Sequence, residues 1–179
     1  MTSDAPDQPL RLHIGGKKPA AGWKLLDIRA VPGVDFVGDC RNLSEFADES
    51  VDEVYASHVY EHLGYVNELP DAFRELHRIL KPGGVARISV PDIETLCRLF
   101  LQYESDGNAR FVLMRMMFGG QMHPHDFHRT GLNWQFMLHL LSQAGFTQWE
   151  RVAEFGLFED ASSLRFNGEL ISLNVIAKK

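Results

Sequence analysis

The stretch from Val51 to Asp92, VDEVYASHVYEHLGYVNELPDAFRELHRILKPGGVARISVPD, predicts one complete strand–helix–strand unit. An apolar run starts at Val51 and ends at Ser57 and His58, where polar groups emerge at the carboxyl end of a strand. Apolar side chains then recur at helical spacing: Leu69, Ala72, Phe73, Leu76, Ile79 and Leu80. Charged residues occupy the other side of this segment, which predicts a helix with one face packed against a sheet.

A proline and two glycines follow the predicted helix at residues 82–84. Proline cannot continue a helix, and glycine permits the positive φ that a reversal of the chain needs. The next apolar residues, Val85, Ile88 and Val90, predict a second strand.

This part of the chain resembles a known family. The string LHRILKPGGVARISVP, preceded by VDEVYASHVYEHL, is similar to the second half of class I S-adenosylmethionine-dependent methyltransferases, in which a Leu-Lys-Pro-Gly-Gly turn precedes the fifth strand. The similarity runs from about Leu12 to the end, and it is strongest to small bacterial methyltransferase-like proteins associated with glycan and cell-surface biosynthesis. The resemblance implies an α/β, Rossmann-like fold with a mostly parallel sheet. Residues 146–154 and 169–177 predict an antiparallel strand pair that closes it.

Length and composition limit the class of protein. A chain of 179 residues with a net charge of −6 is long enough for one domain with a core, and it lacks the basic character of a general nucleic-acid binder. No apolar run approaches the roughly 20 residues of a membrane span. We expect a disordered tail over residues 1–9, a single domain over 10–179, reduced thiols at Cys40 and Cys97, and a cytoplasmic location.

The first three predicted strands are joined by short links. The strands are Leu10–Ile14, Trp23–Ile28 and Val34–Val37, and the links are residues 15–22 and 29–33. A helical crossover needs about a dozen residues or more, so we expect a trimmed fold whose first crossovers lack full helices. One face of the sheet would then be poorly covered, and an exposed apolar face favours a homodimer.

The turn after the first strand carries Gly15 and Gly16, followed by Lys17. In the family this turn lies against S-adenosylmethionine, so the resemblance implies cofactor contacts from Ile14, Gly15, Gly16 and Lys17. The usual glycines stand two apart, whereas here they are adjacent, and an ordinary turn is the alternative. Lys17 is expected either to pair with the cofactor's carboxylate or to extend into solvent.

The ends of the second and third strands carry acidic residues. The resemblance implies that Asp27, with Ile28 beside it, accepts hydrogen bonds from the ribose hydroxyls of the cofactor, as an acidic residue does in dinucleotide folds. It also places Asp39 and Cys40 beside the adenine. The alternatives are that Asp27 caps a turn and that Asp39 caps residues 42–44.

Histidine titrates near neutrality and can serve as a general base. Ser57 and His58 follow the fourth strand and are expected near the reactive methyl group. His58, His62, His125 and His128 are the candidate catalytic bases. Each of them has a purely structural role as its alternative.

The loop GGQMHPHDFHRTG, residues 119–131, contains His123, His125, Asp126 and His128 within a short span. This spacing matches no structural zinc pattern, and most of the family needs no metal for methyl transfer, so we expect no metal site. Similar proteins carry a Gly-Gly-Gln loop that ends in aspartate and histidine before the last helix. The resemblance therefore implies a lid or a segment that faces the substrate.

Two functions remain open from the sequence. The first is S-adenosylmethionine-dependent methyl transfer to a small-molecule or glycan acceptor by direct displacement. The second is a catalytically inactive methyltransferase-fold module that binds or assembles with a partner. The altered glycine turn and the short crossovers favour the second function, whereas Asp27, Asp39 and His58 favour the first.

Overall fold

The computed structural model describes residues 8–179, so residues 1–7 of the predicted tail lie outside the described part of the chain. The strands are β1 (Arg11–Ile14), β2 (Lys24–Asp27), β3 (Phe36–Val37), β4 (Val51–Ser57), β5 (Leu80–Pro91), β6 (Gln148–Val152), β7 (Arg165–Phe166), β8 (Glu169–Leu170) and β9 (Ser172–Lys178). The helices are α1 (Glu68–Ile79), α2 (Ile93–Gln102), α3 (Gly107–Phe118) and α4 (Trp134–Ala144). Within residues 8–179, every helix is too short or too polar to cross a membrane.

Seven of the strands form one sheet in the order β3-β2-β1-β4-β5-β9-β6. Strands β1 to β5 are parallel to one another, and β9 runs antiparallel between β5 and β6. This arrangement confirms the mostly parallel sheet with an antiparallel pair at the C-terminal end. The strand order reverses between β1 and β4, and ligands of open α/β sheets bind at such a reversal, beyond the carboxyl ends of the strands.

Helix α1 packs its apolar stripe onto one face of the sheet. Leu69, Phe73 and Leu76 of this stripe are fully buried, together with Val54 and Ala56 of β4. The helix ends at Ile79, whereas the sequence pattern extended the stripe to Leu80. Leu80 is already extended and pairs with Val51 in the sheet. Pro82 accounts for the early end, because proline disfavours helical backbone in the residue before it and cannot donate a helical hydrogen bond.

The links between β1 and β2 and between β2 and β3 contain no helix, as the spacing predicted. The expectation of a poorly covered face is wrong, however, because the segment 153–164 lies there. The ring centroid of Phe158 lies 4.3 Å from that of His13, 4.6 Å from that of Tyr55 and 5.4 Å from that of Trp23. Tyr55 points to this face because alternate residues of a strand face opposite sides of the sheet. Homodimer formation itself stays a prediction.

Replacing Phe158 with alanine is expected to lower the free energy of unfolding by about 2 kcal/mol, because the half-buried ring covers the sheet where a crossover helix is missing. Leu157→Ala is the matched control, since Leu157 is 44% exposed, and it should change stability by less than about 0.5 kcal/mol. Urea unfolding followed by circular dichroism measures both. Equal stabilities for the two variants would show that the segment does not cover the face in solution.

Candidate functional site

The carboxyl ends of β1, β2 and β4 border a cavity of 570 Å³, within the range of roughly 300–1,000 Å³ that is usual for small-molecule sites. Loop 119–131 forms its opposite wall. The lining includes most of the residues that the sequence analysis singled out: Ile14, Gly15, Lys17, Asp27, Ile28, Asp39, Cys40, His58, His62, His125 and His128. Segments far apart in the sequence therefore meet in one cavity.

Gly15 adopts a backbone conformation that requires glycine. Its φ is +71°, and a Cβ added there would lie 2.5 Å from Cγ2 of Val59. The backbone N–H of Gly15 donates to the carbonyl oxygen of Leu26 at 2.8 Å, which ties the turn to β2. The turn thus keeps the floor of the cavity open, because any side chain at this position is both strained and sterically blocked.

Two residues implied as cofactor contacts lie outside the cavity lining. A Cβ on Gly16 would meet His13 and Leu25, so this glycine serves packing inside the protein. Ser57 shares its face of the sheet with Tyr55, because the two are separated by one residue in β4. Its hydroxyl therefore points to the side covered by segment 153–164.

Asp27 is buried at the end of β2 and is bound by Arg29. Its Oδ1 accepts hydrogen bonds from the backbone N–H of Arg29 at 2.8 Å and from Nε at 3.0 Å, and its Oδ2 accepts from Nη2 at 3.1 Å. Burial alone would raise the pKa of Asp27, but the hydrogen bonds and charge of Arg29 outweigh burial, so this pKa lies below its usual value. The carboxylate is therefore ionised at neutral pH.

Asp39 repeats this arrangement with Arg41, two residues later. Its Oδ1 accepts from the backbone N–H of Arg41 at 2.9 Å and from Nε at 3.0 Å, and Arg41 also pairs with Glu68. Burial opposes ionisation of Asp39, but the contacts with Arg41 lower its pKa overall. Next to it, burial raises the pKa of the Cys40 thiol to about 12, so this cysteine stays protonated and contributes apolar surface.

His58 lies directly after β4 with φ of +53°, a conformation that non-glycine residues rarely adopt. Its Nε2 lies 2.9 Å from Oγ of Ser172, and that hydroxyl donates its hydrogen to the carbonyl oxygen of Ala161 at 2.7 Å. The Ser172 oxygen can therefore only accept a hydrogen bond from His58. Nε2 of His58 thus carries the proton, and its Nδ1 is unprotonated. Burial lowers the pKa of His58 to about 4, so the ring is neutral near pH 7.

Glu61 is a buried carboxyl group that the sequence analysis did not select. Its Oε1 lies 3.5 Å from Nδ1 of His58 and 3.8 Å from Nε2 of His128, and neither carboxyl oxygen has a hydrogen-bond partner among residues 8–179. Burial raises the pKa of Glu61 to about 8. The sequence shows only that Glu61 lies between His58 and His62 in the chain. This position gives no information about the burial of its side chain.

Loop 119–131 is held over this group by its own backbone. The N–H groups of Arg129 and Thr130 donate to the carbonyl oxygen of Glu61 at 2.8 and 3.1 Å, and Nδ1 of His62 lies 3.1 Å from the carbonyl oxygen of Phe127. Burial lowers the pKa values of His62 and His128, whose rings meet edge to face with centroids 4.9 Å apart. The loop therefore brings His128 to the end of β4, while His125 remains exposed at the mouth.

Comparisons with known proteins agree with this architecture. A family profile described as a methyltransferase domain matches residues 20–88, which include β2 to β4, α1 and most of β5. A search of curated proteins found no significant match.

Three solved structures have similar folds at low sequence identity. An S-adenosylmethionine-dependent methyltransferase from Archaeoglobus fulgidus is 15% identical with a TM-score of 0.60, covering 96% of this chain and 86% of that one. One from Thermotoga maritima is 17% identical with a TM-score of 0.56, covering 97% and 83%. The 1,6-didemethyltoxoflavin-N1-methyltransferase of Burkholderia thailandensis, solved with S-adenosylhomocysteine, is 16% identical with a TM-score of 0.57, covering 96% and 72%. The chain therefore has the class I S-adenosylmethionine-dependent methyltransferase fold, and residues 20–88 carry the sequence pattern of its methyltransferase domain.

Proposed function

We propose that the protein binds S-adenosylmethionine in the 570 Å³ cavity and transfers its methyl group to a small-molecule or glycan acceptor. The observation that carries this proposal is the convergence of Gly15, Asp27, Asp39 and His58 on one open cavity at the reversal of strand order. The shared fold of the solved methyltransferases supports the same reaction class.

The residues present fit the cofactor. The bare backbone at Gly15 leaves room for the methionine portion, and the exposed Lys17 offers a positive charge to its carboxylate. Asp27 offers ionised oxygens to the ribose hydroxyls. Asp39 and the protonated Cys40 offer a polar and an apolar surface to the adenine.

When bound, the cofactor supplies a methyl group on a positively charged sulfur, which is its own leaving group. The protein has to align the acceptor, exclude water and remove a proton where the acceptor carries one. In the transfer, a bond forms between the acceptor oxygen or nitrogen and the methyl carbon, and the electron pair of the broken carbon–sulfur bond stays on sulfur. Among the candidate bases, the exposed His125 at the mouth of the cavity can take the acceptor's proton, whereas Nδ1 of His58 faces Glu61.

One observation favours the second function, a module without catalysis. Arg29 and Arg41 already occupy the carboxylates of Asp27 and Asp39, so a ribose diol has to displace part of an ion pair. Both arginine side chains are at least 40% exposed, so each guanidinium group can move into solvent, but Asp27 is only 6% exposed and loses more than an exposed pair would when Arg29 leaves. Binding therefore requires that the ribose hydroxyls replace the side-chain hydrogen bonds that Arg29 donates to Asp27.

Calorimetric titration with S-adenosylmethionine and S-adenosylhomocysteine tests the proposal. We expect saturable binding of one molecule of each per chain. A chain that is folded by circular dichroism but binds neither compound would refute the methyltransferase proposal. Formation of S-adenosylhomocysteine in the presence of a panel of sugars, nucleotide sugars and small amines then distinguishes an enzyme from a module that only binds the cofactor.

As part of the same proposal, we assign the protein to the cytoplasm. Cys40 and Cys97 are both free thiols, as expected in a reducing compartment.

A further inference from the structure

We propose that Glu61, His62 and His128, with His58 beside them, form a binding site for a divalent first-row transition-metal ion such as Zn²⁺, at the acceptor side of the cavity. No metal was expected, because the histidine spacing of loop 119–131 matches no structural zinc pattern and most of the resembled family needs no metal for methyl transfer. In the structure, only His128 of that loop reaches this cluster, and the other three residues come from the segment after β4. We call these four residues the His-Glu cluster.

Two histidines of the cluster each have one unprotonated ring nitrogen that is able to bind a metal ion. Nε2 of His58 donates to Ser172, so its Nδ1 is bare and faces Glu61 at 3.5 Å. Nδ1 of His62 donates to the carbonyl oxygen of Phe127, so its Nε2 is bare. Metal-binding histidines almost always donate their second ring N–H to a protein oxygen in this way, which orients the ring and selects the tautomer.

A buried carboxyl group, that of Glu61, lies between the histidines of the His-Glu cluster. Glu61 is 1% exposed, and neither Oε1 nor Oε2 has a hydrogen-bond donor among residues 8–179. None of the ion pairs found in this range joins Glu61 to a lysine or arginine. The carboxyl group of Glu61 faces the unprotonated Nδ1 of His58, which brings lone pairs together, and a cation relieves this arrangement.

The potential ligand atoms also lie close to one another. Glu61, His62 and His128 each offer one ligand atom, and these atoms lie within 4.8 Å of one another. Two ligands of an ion at about 2.1 Å lie about 3.4 Å apart in a tetrahedral shell and at most about 4.2 Å apart, so the 3.8 Å between Oε1 of Glu61 and Nε2 of His128 already fits. His58 lies outside this group of three, with its Nδ1 3.5 Å from Oε1 of Glu61. The backbone hydrogen bonds from Arg129 and Thr130 to Glu61 hold the loop in the position that this requires.

The donor set indicates the type of ion. Imidazoles with one carboxylate suit zinc and its first-row neighbours, whereas magnesium and calcium prefer oxygen ligands alone. An ion held by Glu61, His62 and His128 keeps an open position for an oxygen or nitrogen atom from the cavity. This extension rests on the proposed function: the ion would hold an acceptor hydroxyl or amine beside the methyl group, and the exposed His125 would remain as the candidate base.

The test uses the chain without a histidine tag, stripped with a chelator and titrated with Co²⁺ while its visible absorption is recorded. We expect one Co²⁺ per chain, with bands typical of nitrogen and oxygen ligands, and competition by Zn²⁺. Glu61→Gln keeps the shape of the side chain but cannot lose a proton to become a carboxylate ligand, and His128→Ala removes the ligand from the loop. Each should weaken binding by about 100-fold or more, because even outer-shell changes cost about 10- to 100-fold.

His139→Ala is the control, since His139 is an exposed histidine on α4 outside the His-Glu cluster, and it should bind Co²⁺ like the native chain. Circular dichroism of each metal-free variant shows that it is folded. The proposal is overturned if the folded native chain binds no Co²⁺ or Zn²⁺, or if Glu61→Gln and His128→Ala bind as tightly as His139→Ala. Metal titration needs no methyl donor, so its result is independent of the calorimetric test with S-adenosylmethionine.

Discussion

Replacing Asp27 with asparagine is expected to weaken the binding of S-adenosylmethionine by about 10- to 150-fold. A hydrogen bond to a charged group is worth about 1.5–3 kcal/mol, and each 1.4 kcal/mol changes an equilibrium constant tenfold. The asparagine side chain has the same shape but has one acceptor oxygen in place of two, and it carries no charge. The effect is large because Asp27 is buried at the carboxyl end of β2 and is ionised at neutral pH.

Isothermal titration calorimetry of the Asp27→Asn variant measures this loss. Asp48→Asn is the matched control, because Asp48 also pairs with an arginine but is 76% exposed and lies outside the cavity. Its affinity for S-adenosylmethionine should equal that of the native chain. Asp27→Asn should also bind Co²⁺ normally, since Asp27 is not part of the His-Glu cluster. An unchanged affinity for S-adenosylmethionine in Asp27→Asn would exclude Asp27 from the cofactor site.

Replacing Gly15 with alanine is expected to abolish measurable cofactor binding and to lower the free energy of unfolding by about 2–3 kcal/mol. A non-glycine residue held at positive φ costs about 1–3 kcal/mol, and the new Cβ also meets Val59 at 2.5 Å. To relieve both, the turn has to move away from Val59, which also lines the cavity. The hydrogen bond from Gly15 to Leu26 would then be lost.

Gly83→Ala separates the two effects. Gly83 has a similar φ of +79°, but a Cβ there would meet nothing within 4 Å, and it lies outside the cavity lining. This control should lose stability through strain alone and keep its affinity for S-adenosylmethionine. The double variant Gly15→Ala/Val59→Ala relieves the contact but keeps the strain, so it should regain part of the lost stability. Denaturant unfolding and calorimetry measure all three, and native behaviour of Gly15→Ala would contradict the geometry of this turn.

The sequence predicted the fold well where the pattern is local. The helical period of α1, the Pro-Gly-Gly turn and the lengths of the first links are all visible in short windows of the chain. These features predicted a mostly parallel sheet whose first crossovers contain no helix, which the structure confirms. They also placed Asp27 and His58 at the carboxyl ends of strands, and parallel strands bring such ends to one edge of the sheet.

The differences between expectation and structure have a common origin in contacts between distant segments. A poorly covered face of the sheet was expected because nothing in the first crossovers could cover it, and Phe158 lies far along the chain in a loop segment. Gly16 was grouped with Gly15, but the packing of His13 and Leu25 decides which glycine faces the cavity. Neither contact leaves a periodic signal in the sequence.

The sequence by itself therefore determined the strand–helix–strand unit, the family resemblance and the order of polar residues at the strand ends. Each of these depends on residues that lie close together in the chain. Only the tertiary structure decided that Glu61 is buried without a hydrogen-bond partner and that His128 meets it. Burial and the direction of a lone pair depend on which loop packs over which strand end. Those contacts join residues that are remote in the chain, so no local pattern encodes them.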